Sequence, residues 1–442
     1  MAEKARGTTG ASPAEDAADP APGRTADRPA TFREVFGVAE YRYLFASAIL
    51  SWIGDYFARV AVAYLIFRDT GSVLLSAAGF AISYLPWVAG GPILAALAER
   101  YPYRRVMILC DVARTALIAL MAVPDMPLPA LLLLLLAASV LTPPFQAARS
   151  AMLAQVLDGD RYVVGLSVQN IAGQTAQVAG YAVGGVITAV DARVALLLNA
   201  ASFGASALLL WRGVRPRPAA TGATARASLL RETAEGARVV FGHRVMRPIA
   251  LVAFSMVAIV IVPEGLAVAW SAELGGGSRA AGLLMAAIPV GSAVGAVVIG
   301  RMMAPERRIR LIRPFLLACP LLLVPALLSP PLAVVFFMML GAGIAGTVIV
   351  PLNGLFVQVL PGAFRARAFG LMQGGLQITH AAAVLAAGAL AEAFSVAAVV
   401  GIWSLCGLVL MAVAVTAWPS KEVIDAEVAR AAELNRPVPA SG

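Results

Sequence analysis

The sequence predicts an all-α membrane protein: twelve transmembrane helices arranged as two pseudo-symmetric six-helix bundles. Three observations carry this. Hydrophobic residues make up 60% of the chain, charged residues 13%, and the mean hydropathy is +0.82, whereas soluble domains carry about 25% charged residues. Twelve segments approach the roughly 20 mostly apolar residues that a helix needs to span a bilayer. Finally, shifting the chain by 203 residues brings its two halves into register. Pro86 falls on Pro289, Arg104-Arg105 on Arg307-Arg308, Pro127 on Pro330, and "QVL" at 155–157 on "QVL" at 358–360. A membrane barrel is disfavoured, because its strands alternate in polarity and "ALLLLLLAASVL" runs apolar without a break.

Taken in order, residues 1–32 are polar, Ala/Pro-rich and charged at both signs, with no apolar run of a signal peptide. They are expected to be a disordered cytoplasmic tail. The N-terminal bundle covers 33–212, with spans at about 43–67, 73–98, 105–124, 128–148, 163–189 and 194–212. Residues 213–246 form a basic cytoplasmic linker, in which "LLRETAEGARVVFGHR" reads as an amphipathic helix on the membrane surface. The C-terminal bundle covers 247–418, with spans at about 247–271, 279–303, 309–328, 332–359, 366–392 and 395–418. Residues 419–442 are expected to be a second cytoplasmic tail.

Orientation follows from the basic loops. With the N-terminus inside, the inner loops hold Arg100, Arg104 and Arg105, then Arg149 and Arg161, then eight arginines from Arg212 through Arg247. Arg301, Arg307, Arg308, Arg310, Arg313, Arg365 and Arg367 follow, while the outer loops hold only Arg68, Arg193 and Arg279. Positive charge belongs in the cytoplasm, so the expectation is a multi-pass protein of the inner (plasma) membrane with both termini cytoplasmic. The net charge of +9 is then a matter of topology, and no nucleic-acid partner is expected. Cys110, Cys319 and Cys406 all fall in apolar segments, and His243 and His380 are the only histidines. Neither set has metal-ligand spacing, so no metal and no cofactor are expected.

Two parallel six-helix halves are the architecture of one large transporter class, with its substrate site near the midplane between them. The stretches "SWIGDYFARVAVAYLIF", "YLPWVAGGPILAALAERYPYRRVMILCDVAR", "ARSAMLAQVL" and "VGGVITAVDARVALLLNAASF" resemble the major facilitator superfamily over residues 33–418. More narrowly, they resemble its branch of enterobactin exporters and macrolide or tetracycline efflux pumps. The superfamily's signature loop, G-x3-D-R-x-G-R-R/K, here reads Ala95-x3-Glu99-Arg100-x-Pro102-Tyr103-Arg104-Arg105. The acid and three basic positions carry across; both glycines and one basic position do not. The resemblance implies that Glu99, Arg100, Arg104 and Arg105 form a cytoplasmic gate, joined by Asp111 and Arg114, which stand i to i+3 on the third span. The plainer alternative is that these arginines only enforce topology. On the fifth span, the G-x3-G-P-x2-G-G motif of proton-driven exporters becomes Ala176-x3-Gly180-Tyr181-x2-Gly184-Gly185. Small residues there let helices approach closely, whatever the direction of transport.

Amides supply candidate cavity residues. Asn170, Gln174 and Gln177 stand at i, i+4, i+7 on one face of the fifth span, and the 203 offset places them on Gln373, Gln377 and His380 of the eleventh. Asn353 is a further candidate. Two such stripes would flank a central cavity for a polar, uncharged or zwitterionic substrate. Alternatively, they bond helix to helix.

Carboxyls supply the candidates for proton coupling. Asp55 lies about 18 Å into the first span and Arg59 one turn beyond, where it is positioned to pair with Asp55. Glu264 is the lone acid of the seventh span. Charge at bilayer depth is a functional hypothesis by default. Low dielectric and a nearby arginine pull a carboxyl's protonation in opposite directions, so it can follow the side to which a cavity opens. A permanent structural Asp55–Arg59 pair is the alternative.

The expected function is secondary active transport, and not an enzyme: proton-coupled efflux of a small molecule such as a drug, siderophore or other secondary metabolite by alternating access. Proton-coupled uptake and lipid or lysophospholipid flipping are the alternatives. The expected partners are substrate, protons and membrane lipids, with the chain a monomer.

Overall fold

The computed structural model describes residues 30–87, 100–218, 229–302, 311–360 and 364–434. Among these residues the chain is helical throughout, with short turns. Thr31 opens a brief α1 (Phe32–Gly37) through a reciprocal capping box with Glu34. The first long helix is α2 (Ala39–Thr70), which stops at Gly71 in the left-handed region at φ +67°. Ser72 then caps α3 (Val73–Ala81), which runs on through a 3-10 turn at Ile82–Tyr84.

The N-terminal half continues with α4 (Tyr103–Met121), α5 (Leu128–Val140), α6 (Thr142–Val156), α7 (Asp160–Val190) and α8 (Ala192–Gly213). Prolines explain the joint between α5 and α6. Pro143 and Pro144 fill the first turn of α6, where a missing N–H costs nothing but the preceding helix cannot continue. The connecting segment carries α9 (Leu229–Gly242), the amphipathic stretch of the sequence. The C-terminal half has α10 (Met246–Gly265), α11 (Ala267–Glu273), α12 (Ser278–Met302), α13 (Ile312–Leu323), α14 (Leu332–Gly346), α15 (Ile349–Val359), α16 (Arg365–Leu390) and α17 (Val396–Thr416). A last helix, α18 (Lys421–Leu434), lies within the stretch 419–442 that the sequence reads as a tail.

Seven of these spans are long and apolar enough to cross a membrane, and Val73–Trp87 and Ile312–Leu328 are shorter apolar helices. The more polar α4, α7 and α16 fill the remaining positions of the twelve. Contacts among loops place both ends of the described chain on one face, here the terminal face. The Ala30 N–H donates to Asp160 at 2.5 Å, Arg217 pairs with Glu40 at 2.7 Å, and His243 meets Glu427 at 3.3 Å.

The halves meet at the opposite, distal face, where α7 lies on α12 and α16 lies on α3. Glycine makes the first crossing. A Cβ on Gly185 would sit 2.7 Å from the Ser278 carbonyl oxygen and 2.8 Å from Gly282 Cα, so backbone touches backbone. The second crossing uses Gly388, whose Cβ would sit 2.7 Å from Ala77 Cβ. Gly180 and Gly184 serve a different contact. They seat α7 on α2 within one half, with their added Cβ atoms 2.5 Å from Tyr56 Cβ and 3.1 Å from Phe57 Cα.

Candidate functional site

Glu264 sits where α10 breaks. Pro263 withdraws one backbone donor in the helix's last turn, and α10 ends at Gly265 before α11 resumes at Ala267. The carboxyl is buried, with the residue 6% exposed, and its Oε1 accepts a hydrogen bond from Tyr181 Oη at 2.7 Å. Tyr181 is on α7, so this bond joins the two halves. The Tyr181 ring meets Tyr56 edge-on at 5.0 Å. Arg59, one turn along α2 from Tyr56, lies over three rings: Tyr56 at 5.4 Å, Phe80 at 5.8 Å and Tyr84 at 5.4 Å. Its Nη1 donates to Tyr84 Oη at 3.2 Å. Tyr84 in turn stacks on His380 of α16 at 4.8 Å, and His380 Nδ1 lies 3.2 Å from Gln377 Oε1. A continuous run of contacts therefore leads from Glu264 through the N-terminal half and back to the C-terminal half.

The expected Asp55–Arg59 pair is absent: Asp55 makes no ion pair or hydrogen bond among the described residues. The reason is the reach of the arginine. Its guanidinium turns sideways to three aromatic faces and a phenol, a setting that holds a cation without an acid. Asp55 instead shares a cavity of about 90 Å3 with Arg59, Arg114, Tyr84, Asn199 and Gln377.

Asp111 and Arg114 lie within the N-terminal half, away from the terminal-face loop with which they were grouped. Asp111 is about 12 Å along α4 from Tyr103. The two form a buried ion pair at 3.7 Å, and Asp111 also accepts from Ser206 at 2.6 Å. Phe145 and Phe203 sandwich the Arg114 guanidinium at 5.0 and 5.2 Å. At the terminal face itself, Arg104 donates to the carbonyls of Leu210 and Trp211 in the last turn of α8, tying α4 to α8 within one half. Arg100 and Arg105 are exposed. Glu99 lies outside the described residues.

The amide stripes are divided. Asn170 and Gln174 line a second cavity of about 220 Å3 with Trp52, Tyr56, Arg149 and Gln169. Gln377 lines the first cavity, Gln177 is partly buried, and Gln373 and Asn353 are exposed. A third cavity of about 470 Å3 is apolar and belongs to the C-terminal half alone, with Ile259, Phe394 and Trp403 in its wall.

The sequence reading passed over Arg149, Tyr56, Tyr84 and Tyr181. The sequence puts Arg149 in a loop after a fourth span ending at 148; it lies inside α6, its guanidinium over Trp52 at 4.4 Å. The tyrosines did carry a signal, since a phenol at bilayer depth needs a partner for its hydroxyl.

Twelve helices in two halves, closed against each other at one face around buried charges, define a membrane transporter. The model of the Major Facilitator Superfamily matches residues 44–363, and the chain belongs to that family of transporters. Among curated protein sequences none matches this chain. Among solved structures, the nucleoside transporter NupG is similar at a TM-score of 0.68, with 14% identity over 86% of this chain and 100% of that one. A bacterial homolog of the human lysosomal transporter Spinster, inward-facing and occupied, is similar at 0.62, with 14% identity over 90% of this chain and 98% of that one. A POT family transporter in complex with 5-aminolevulinic acid is similar at 0.68, with 11% identity over 89% and 98%. At these identities the likeness is one of fold.

Proposed function

We propose that the protein exports a small molecule across the inner membrane in exchange for protons, by alternating access, with Glu264 as the coupling carboxyl and Asp55 as its aid. One observation supports this above the others: a buried acid of one half is held by a single neutral donor of the other, at the face where the halves close. Protonation of Glu264 turns the charge-assisted Tyr181 bond into a weaker one between neutral groups, so the charge state of one atom pair biases closure. With the termini cytoplasmic, the conformer described is inward-facing. Cargo then enters from the cytoplasm beside Asn170 and Gln174, and Arg59 is the fixed cation whose field both carboxyls feel. The protein acts as a monomer in the lipid bilayer.

The test uses membrane vesicles carrying the protein, a preset pH gradient and a pH-sensitive dye. Antibiotics, siderophores and small metabolites are added in turn. At least one compound is expected to collapse the gradient in inverted vesicles, with E264Q abolishing the collapse and D55N weakening it while both still bind that compound. Coupling unchanged in both variants removes these carboxyls from the mechanism. Collapse only in right-side-out vesicles makes the protein an uptake symporter.

A further inference from the structure

The cavity at Arg149 contains an unmet chemical demand. Arg149 is the one charged residue in its wall, which is otherwise made of the amides Gln169, Asn170 and Gln174, Ser150, and aromatic or aliphatic side chains. Arg149 and Gln169 of this wall each carry a buried donor, Nη1 and Nε2, that has no hydrogen-bond partner. Gln169 is only 5% exposed. Buried polar groups are almost always bonded, and each exception calls for an explanation. Here two exceptions fall in one cavity, and one of them belongs to a cation.

The arginine is also held for presentation. Trp52 covers one face of the guanidinium at 4.4 Å, which leaves the N–H groups around its edge free for in-plane bonds. That edge matches the two oxygens of a carboxylate. Charge balance narrows the choice among anions. Within the wall itself, one cation among neutral amides compensates a single negative charge, whereas a phosphate dianion would bring two.

We propose that this cavity is the anion subsite of the transported molecule, taking a carboxylate attached to a small apolar body. Arg149 and Gln169 donate to the carboxylate, Asn170 and Gln174 meet its neighbouring polar groups, and Tyr56, Leu153 and Leu166 take the apolar part. Calling this ligand the cargo rests on the transport reading above; the anion site itself rests on the two unpartnered donors.

The experiment is calorimetric titration of the full-length protein in nanodiscs at pH 7 with benzoate, benzamide and phenyl phosphate. Benzoate is expected to bind saturably and at least tenfold more tightly than benzamide. R149Q is expected to weaken benzoate at least tenfold and erase its preference over the amide, with R149K recovering part of both. Q169L, which keeps the cation, is expected to weaken benzoate three- to tenfold. Monodisperse elution and a wild-type unfolding midpoint qualify each variant, and Q169L carries the test if R149Q does not fold. Absence of benzoate binding, equal binding of the amide, or wild-type affinity in both variants overturns the site. Phenyl phosphate binding more tightly than benzoate overturns the carboxylate assignment. Failure of proton coupling in the vesicle test alongside intact benzoate selectivity removes the transport reading alone, and the converse result removes the anion site alone.

Discussion

The two halves of the molecule share a frame and differ in charge. The N-terminal half buries or half-buries Asp55, Arg59, Asp111, Arg114 and Arg149 within its spans. At the 203 offset their mates are Ala258, Val262, Pro314, Leu317 and Leu352, which carry no charge. The C-terminal half has Glu264, whose mate is Ala61, and the extended apolar core around Trp270, Leu284 and Met339. What the offset does keep is the crossing of the halves. Gly185 and Gly388 are mates, and each lies in a helix that closes the distal face against the other half. Rocking needs two similar bodies, whereas chemistry needs its groups only once, and one half carries most of them.

The largest test of this asymmetry is in the cores. Arg114→Met leaves Asp111 buried without its ion-pair partner, and breaking such a pair costs about 3–5 kcal/mol. The same change at its mate, Leu317→Met, exchanges one apolar side chain for another and should cost less than about 1.5 kcal/mol. Denaturant unfolding of the solubilised protein measures both. Adding Asp111→Leu to Arg114→Met should restore most of the loss; no recovery would mean that the arginine acts through packing on Phe145 and Phe203.

Next in size are the crossings, where the halves should respond alike. Gly185→Leu drives a side chain into backbone at 2.7 Å, and Gly388→Leu drives one into the Ala77 side chain at 2.7 Å. Overpacking costs about 1–3 kcal/mol, so Gly185→Leu should disfavour the closed distal face about a hundredfold, and Gly388→Leu about tenfold. A cysteine at Ser278, buried at 2% exposure, reports this by its labelling rate in a Cys406→Ser background. Unchanged labelling in Gly185→Leu would show that this crossing does not control closure.

Smaller again is Tyr181→Phe. It removes the one hydroxyl that Glu264 accepts from, and an orphaned buried acceptor costs about 1–3 kcal/mol. The expected result is roughly tenfold faster Ser278→Cys labelling and weakened pH-gradient coupling. Wild-type behaviour in both would assign the inter-half bond no part in closure.

The helices were legible in the sequence because bilayer-length apolar runs leave few alternatives, and the glycines of the fifth span because small residues stand out among large ones. The site was legible as residues and illegible as partners. Asp55 and Arg59 stand one turn apart, yet three aromatic rings, two of them from another helix, outcompete the acid. Asp111 and Arg114 do meet, because a pairing at i to i+3 is local to one helix. Glu264 with Tyr181 is a contact across 83 positions, set by how two bundles lean together, which no local pattern encodes. Arg149 is missed for a simpler reason: the fourth span as read from the sequence ends one residue before it, whereas the helix runs on to Val156.

The smallest expected effect separates two distal-face carboxylates that look alike. Glu273 accepts from the Val396 N–H at 2.8 Å, capping α17 inside its own half. Glu392, beyond the end of α16, accepts from the Ser72 hydroxyl at 2.6 Å and the Leu74 N–H at 2.8 Å, both of the other half. The Ser72 hydroxyl first, then the Leu74 N–H, hold the Glu392 carboxyl below its ordinary value of 4.5. Opening the distal face removes both donors, so the closed state has the lower value and closure favours the ionised acid. That contribution is fully present above 4.5 and fades as the pH falls through the lowered value. Acidifying the distal face from neutrality to about pH 5 should therefore leave Ser278→Cys labelling unchanged by this latch, and only stronger acid should speed it. At neutral pH, Glu392→Gln should speed labelling about twofold, the order expected for an exposed charge-assisted contact, while Glu273→Gln should not change it. Wild-type labelling that rises between pH 7 and 5 and is flattened by Glu392→Gln would keep the sign of this linkage but move its window above 4.5, against the lowered value. Glu392 would then open the distal face on protonation between pH 7 and 5, not only in stronger acid.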